Sequence, residues 1–80
     1  MTWNYRMIEH SYHDGSSWFA IHEVYYDEKG NPEYCSKEPC FAHGEDTETL
    51  TTDMSYMMEA LKKPTLRYND FVNKDERPDV

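Results

Sequence analysis

The stretch that decides the fold is WFAIHEVYY at residues 18–26. β-branched and aromatic residues dominate it, and apolar side chains occur in both of its alternating sets, which is typical of a β-strand. Those sets would point to opposite faces of a sheet: Trp18, Ala20, His22, Val24 and Tyr26 to one face, and Phe19, Ile21 and Tyr25 to the other. A strand that is apolar on both faces lies inside a sheet, with cover on each side. The stretch therefore predicts a central strand.

Two further strands are predicted on either side of it in the sequence. Residues 2–9 alternate, so that Trp3, Tyr5 and Met7 share one face. After residue 26, a turn is indicated by Gly30 and Asn31, which tolerate positive φ. A weaker strand is then expected at residues 33–37, where proline and lysine suit an exposed edge.

The last regular element is predicted to be a helix. Asp46 or Thr47 would cap its start, and Pro64 would end it. Apolar residues recur at spacings of four, three and four, and we expect this stripe to be buried: Leu50, Met54, Met57 and Leu61. The sequence thus predicts an α+β fold, a three-stranded antiparallel sheet packed on one C-terminal helix (β-β-β-α).

The chain has 80 residues, which is the length of one domain. We expect a single βββα domain at residues 1–72 with a docked C-terminal segment, followed by a flexible tail at residues 73–80. One helix covers only one face of a three-stranded sheet. The second face is covered either by the segment around Leu66 and Phe71 or by a second copy of the chain, which makes a homodimer the expected state.

The composition is acidic, with 16 Asp and Glu against 8 Lys and Arg and a formal net charge of −8. This balance argues against direct binding of nucleic acid and against docking on anionic membranes, because both rely on basic residues. It is compatible with a basic protein partner. The sequence has no apolar run long enough to span a membrane and no signal-peptide pattern, so a cytoplasmic location is expected.

The cysteines and histidines are the candidate chemical groups. Cys35, Cys40 and His43 have a C-x4-C-x2-H spacing, and a fourth zinc ligand could come from His10, His13 or His22. Structural zinc, however, usually takes two pairs of closely spaced ligands, and the sequence has no second pair. We therefore expect free cysteines and no cofactor. His22 lies in the central strand and is expected to be a sheet residue with one nitrogen satisfied. Because no nucleophile–base pattern emerges, the sequence predicts a protein that is not an enzyme.

One segment resembles a known family. CFAHG at residues 40–44, followed by Asp46, Thr47 and the apolar helical stripe, resembles the HicB-like antitoxin domain, a partial ribonuclease-H-like unit. Pro39 stands where that family has a glycine, and an extra residue precedes Asp46. The chain also looks like a group of small bacterial proteins with a WNYR start, a likeness that carries no function. The HicB-like resemblance implies a partner-binding fold and brings no catalytic residue.

These observations predict a non-enzymatic protein-interaction module, antitoxin-like in role. Its expected interaction surface is aromatic and apolar: Trp18, Phe19, Ile21, Tyr25, Leu66 and Phe71. Met54, Met57 and Met58 form an alternative surface, since methionine adapts to varied partners, but their helical spacing favours a place in the core. The alternative function is an acidic, phage-type inhibitor or nucleic-acid mimic that occupies a basic site on a target protein.

Overall fold

The structure is a computed structural model that describes residues 2–71 and the backbone of residues 73–74. Three strands come first, β1 at Thr2–Ser11, β2 at Ser17–Tyr26 and β3 at Pro32–Cys35. Helix α1 at Thr47–Glu59 follows and continues into a 3-10 turn at Ala60–Lys62. The described chain ends with β4 at Leu66–Arg67, a 3-10 turn at Tyr68–Asp70 and β5 at Asn73–Lys74. The fold is α+β, as the sequence predicts.

Among the described residues the strands form one mixed sheet in the order β4-β1-β2-β3-β5. β2 lies in the middle and pairs antiparallel with β1 and β3, as predicted. The prediction of three antiparallel strands is incomplete, because β4 adds to β1 and β5 adds to β3, both in parallel. Each added strand has two residues, which is too short to show a periodic pattern in the sequence. Residues 75–80 of the predicted tail lie outside the described residues.

The turn between β2 and β3 follows the predicted chemistry. Gly30 has a φ of +85°, a backbone conformation that residues with a Cβ atom rarely adopt. The Asp27 carboxylate accepts hydrogen bonds from the backbone N–H groups of Lys29 and Asn31, both at 2.9 Å. These bonds fix the turn that sets β3 beside β2.

One face of the sheet, which we call the inner face, holds most of the buried side chains. They come from strands β1, β2 and β3: Arg6, Ile8, His10, His22, Val24 and Cys35. Phe71, which is 5% exposed, packs against Ile8, Val24 and Cys35, with Leu66 and Tyr68 beside it. Residues 66–71, which we call the closing segment, therefore cover the inner face within the same chain.

Helix α1 lies against β1 on the opposite face. Asp46 caps its start by accepting a hydrogen bond from the Thr49 N–H at 2.7 Å. Ala60, just after the helix, is buried, and Leu50, Asp53 and Met57 are half-buried. These four side chains share one side of the helix by their spacing of three or four residues.

The predicted buried stripe is wrong at two of its four positions. Met54 is 50% exposed and Leu61 is 58% exposed. The helix is rotated relative to that prediction: Asp53, which accepts a hydrogen bond of 2.7 Å from the Tyr5 hydroxyl, lies on the side that faces the sheet. That long-range polar contact is not part of the apolar spacing from which the stripe was inferred.

We predict that Phe71→Ala lowers the free energy of unfolding by about 3–5 kcal/mol, through lost burial and the cavity that remains. Leu61→Ala should cost a single, undimerised chain about 0.5 kcal/mol, as expected at an exposed position. Urea unfolding of the two variants and the wild type measures both values. A loss at Leu61 equal to the loss at Phe71 would contradict the helix orientation described above.

Candidate interaction surface and a buried histidine pair

The helix presents an apolar surface to solvent. Met54, Met58 and Leu61 recur at spacings of four and three, so they form one stripe, and each is at least half exposed. Thr47 and Thr51 continue this line towards the start of the helix. We call these five positions the methionine stripe. No residue of α1 itself is buried, so the helix is attached to the domain by one partly covered side only.

A groove of about 550 Å³ runs along another side of the helix, between α1 and the start of β1. Trp3, Tyr5 and Tyr56 line it, and Glu59 and Lys63 also contribute. Trp3 meets Tyr5 edge to face, with ring centroids 5.3 Å apart. Exposed aromatic and apolar side chains of this size are characteristic of interaction surfaces.

The structure places the six residues of the predicted interaction surface on two different faces of the sheet. Trp18, Leu66 and Phe71 belong to the inner face and the segment that closes it, and none of them is exposed. Phe19, Ile21 and Tyr25 lie on the opposite face, where Phe19 is exposed. The six side chains therefore do not form one continuous patch.

Two histidines of the inner face bind each other. The Nε2 atoms of His10 and His22 are 2.8 Å apart, and His22 has no exposed surface. The Nδ1 atom of His22 lies 2.9 Å from the carbonyl oxygen of Ser36 and 3.1 Å from its hydroxyl. A carbonyl oxygen only accepts hydrogen bonds, so His22 donates from Nδ1. In the neutral pair, Nε2 of His22 is then the acceptor, and His10 donates to it.

Aromatic rings enclose this pair. His10 is stacked on Trp18 with centroids 4.0 Å apart, and on Tyr68 of the closing segment at 4.5 Å. Burial lowers the pKa of both imidazoles below the ordinary value. For His22 the hydrogen bond to Ser36 and the charge of Glu38 act in the opposite direction, but burial is the largest cause. The pair is therefore neutral at neutral pH.

Sequence reasoning found half of this arrangement. It placed His22 in the central strand with one nitrogen satisfied, whereas both ring nitrogens have partners. It considered His10 only as a possible zinc ligand and not as the partner of His22. The alternation in β1 and β2 could have indicated the pair. Once the two strands are paired, Ile8 and His10 occupy the same face as His22 and Val24.

The cysteines and His43 are not brought together as ligands. Cys35 is buried on the inner face, Cys40 is half-buried beside Ser36, and the two do not form a disulfide. Burial raises the pKa of the Cys40 thiol. The backbone of His43 donates to Asp53 at 3.2 Å. Within residues 2–71, no three His, Cys, Asp or Glu side chains are grouped in a way that would hold a metal ion.

Comparison with protein-family models, curated proteins and solved structures found no match for this chain. The HicB-like resemblance stays a prediction. None of the described helices is both long and apolar enough to cross a membrane.

We predict that chelation leaves the fold unchanged. The described core consists of side-chain packing and hydrogen bonds, whereas a structural zinc would contribute many kcal/mol to folding. The midpoint of urea unfolding should be the same with and without EDTA. A fall in that midpoint on adding EDTA would show that Cys35, Cys40 or His43 binds a metal after all.

Proposed function

We propose that this chain is a non-enzymatic protein-interaction domain, and that its first partner is a second copy of itself. The observation that carries the proposal is the methionine stripe, in which Met54, Met58 and Leu61 are each at least half exposed along one line of the helix. Soluble monomers rarely leave a contiguous apolar patch uncovered. Methionine also suits an interface, because its side chain adapts to the surface that it meets.

The charges beside the stripe favour a two-fold, antiparallel pairing of two helices. Glu48 lies in the first turn of α1, and Lys62 lies just beyond its end. Met54 is near the midpoint between them. An antiparallel pair centred there would set Glu48 of each copy beside Lys62 of the other, and the same patch would serve both copies.

The net charge of −8 opposes association of two copies. At physiological ionic strength, however, screening limits repulsion between exposed charges to about 8 Å. The local contacts between Glu48 and Lys62 would act within that range. Short-range apolar contact and local charge pairing therefore support self-association despite the overall repulsion.

The surroundings of the histidines support a function without catalysis. A general base must reach the proton that it removes from a substrate. His10 and His22 instead bind each other beneath Trp18 and Tyr68, and His22 has no exposed surface. Their hydrogen-bonding capacity is used inside the fold.

Light scattering coupled to gel filtration tests the self-pairing. We expect twice the 9.6 kDa mass of one chain at micromolar concentration. Met58→Glu should reduce the mass to that of one chain, because it puts a charge in the centre of the apolar contact. Thr52→Glu is the matched control: the same charge on the same exposed helix, away from the stripe, should leave the dimer intact.

A wild-type mass of one chain at both low and high salt would exclude self-pairing. Loss of the dimer in Thr52→Glu but not in Met58→Glu would show that two copies meet through a different side of the helix.

A basic protein is the second candidate partner, as for an antitoxin-like protein or an acidic inhibitor that mimics nucleic acid. The supporting observation is the exposed cluster Glu45, Asp46 and Glu48 at the start of α1. The hydrogen bonds from Thr49 hold the pKa of Asp46 below its ordinary value, so that this carboxylate stays charged.

Affinity capture from the native host separates the two candidates. A basic partner held by these carboxylates should bind less to a Glu45→Gln variant, which leaves Glu48 for the pairing of two copies, and should be retained by Met58→Glu. The opposite pattern would assign the captured protein to the methionine stripe.

A further inference from the structure

In the neutral pair the hydrogen bond between the two histidines has a fixed direction. His22 donates from Nδ1 to the Ser36 carbonyl, so its Nε2 is the only ring atom left to take a second proton. That atom already accepts the bond from His10. A proton placed there while His10 keeps its Nε2 proton would set two N–H donors 2.8 Å apart and break the bond.

His10 can take a proton without this consequence. Its Nε2–H continues to donate to His22 when a proton is added at Nδ1. The closed pair therefore accepts one proton on His10, whereas an opened pair accepts one on each ring. The second proton is the one that the closed structure excludes, because it leaves no acceptor between the two rings.

The groups around the pair belong to the sheet and to the closing segment. Tyr68 of that segment stacks on His10 at 4.5 Å and lies 5.7 Å from His22, and its hydroxyl donates a long hydrogen bond of 3.4 Å to the Lys37 carbonyl. The carboxylate of Glu38 attracts a proton to His22, but burial has the larger effect in the opposite direction.

Two more ionisable groups belong to the same face. The Cys35 thiol is buried there, and the Arg6 guanidinium donates to the Pro64 carbonyl at 2.6 Å, just before the closing segment. The Arg6 guanidinium is a fixed positive charge, and it disfavours a second proton on the pair.

We propose that the histidine pair is an acid-sensitive latch: protonation of both rings breaks the bond between His10 and His22 and releases the closing segment from the inner face. Tyr68 loses its stacked support, and Phe71 follows because it belongs to the same short segment. The released state exposes Ile8, Val24 and Cys35. This inference is independent of the proposed function, because it concerns the opposite face of the sheet from the helix.

The direction of the pH dependence follows from proton binding. The open state binds more protons than the closed state, so a fall in pH favours opening. The closed state keeps its full advantage above a pH of about 6.5, the ordinary pKa of histidine, and loses it as the pH falls below that value. One extra proton in the open state raises its population by up to about tenfold per pH unit.

The thiol of Cys35 reports the opening, because it is fully buried when the segment is closed. Cys40→Ala removes the other thiol, and 4,4′-dithiodipyridine reacts with thiols in acid as well as at neutral pH. The labelling rate at each pH is divided by that of the urea-unfolded chain at the same pH. We expect this ratio to rise by up to tenfold per unit below about pH 6.5. A ratio that does not change between pH 7.5 and 5 would overturn the latch.

Three variants in the same background test whether the rise needs both rings. His22→Gln removes one of the two imidazoles and should abolish the rise. His10→Gln should abolish it as well, because the amide oxygen can accept a hydrogen bond from a protonated His22. His13→Gln, at an exposed position, is the control and should behave as the wild type. A rise in His22→Gln equal to that of the wild type would contradict the proposal.

Nitrogen-15 spectra of the wild-type imidazoles provide a test that does not depend on any variant folding. At pH 7.5 we expect His22 to carry its proton on Nδ1, with Nε2 unprotonated. A His22 ring that carries its proton on Nε2 would overturn the proposed latch, even if His22→Gln does not fold.

Discussion

The structure depends on covering a central strand that is apolar on both faces. β2 pairs with β1 and β3, and neither neighbour shields its side chains above or below the sheet. An 80-residue chain has little material for two layers of cover. The closing segment supplies one layer with Phe71, Leu66 and Tyr68. On the opposite face helix α1 covers β1, and Phe19 of β2 stays exposed.

The closing segment and the helix differ in which side chains they leave exposed. The closing segment buries its face nearly completely, but it does so over a buried arginine and two histidines as well as over apolar side chains. Buried polar groups are costly unless they are hydrogen-bonded, so a change in the protonation of the histidines affects the stability of this face. The helix is held by one partly covered side, and its methionine stripe stays accessible. The inner face therefore suits a response to acid, and the methionine stripe of the helix suits contact with a partner.

The main elements could be predicted from the sequence because local chemistry determines them. Alternation identified β1 and β2, Gly30 marked the turn, and Asp46 marked the start of the helix. The rotation of the helix could not be predicted, since it brings together Tyr5 and Asp53, which are 48 positions apart in the chain. The histidine pair was missed for a related reason: its geometry requires the register of β1 against β2. Periodicity in one segment carries no information about such long-range contacts.

The central claim is that residues 66–71 cover the inner face of their own chain. Isotope-filtered NMR on an equal mixture of labelled and unlabelled chains at pH 7.5 tests it directly. Contacts between the Tyr68 ring and the rings of His10 and His22, which lie 4.5 and 5.7 Å away, should arise within single chains. Contacts that arise only between a labelled and an unlabelled chain, or no contacts at all, would contradict this account of the fold.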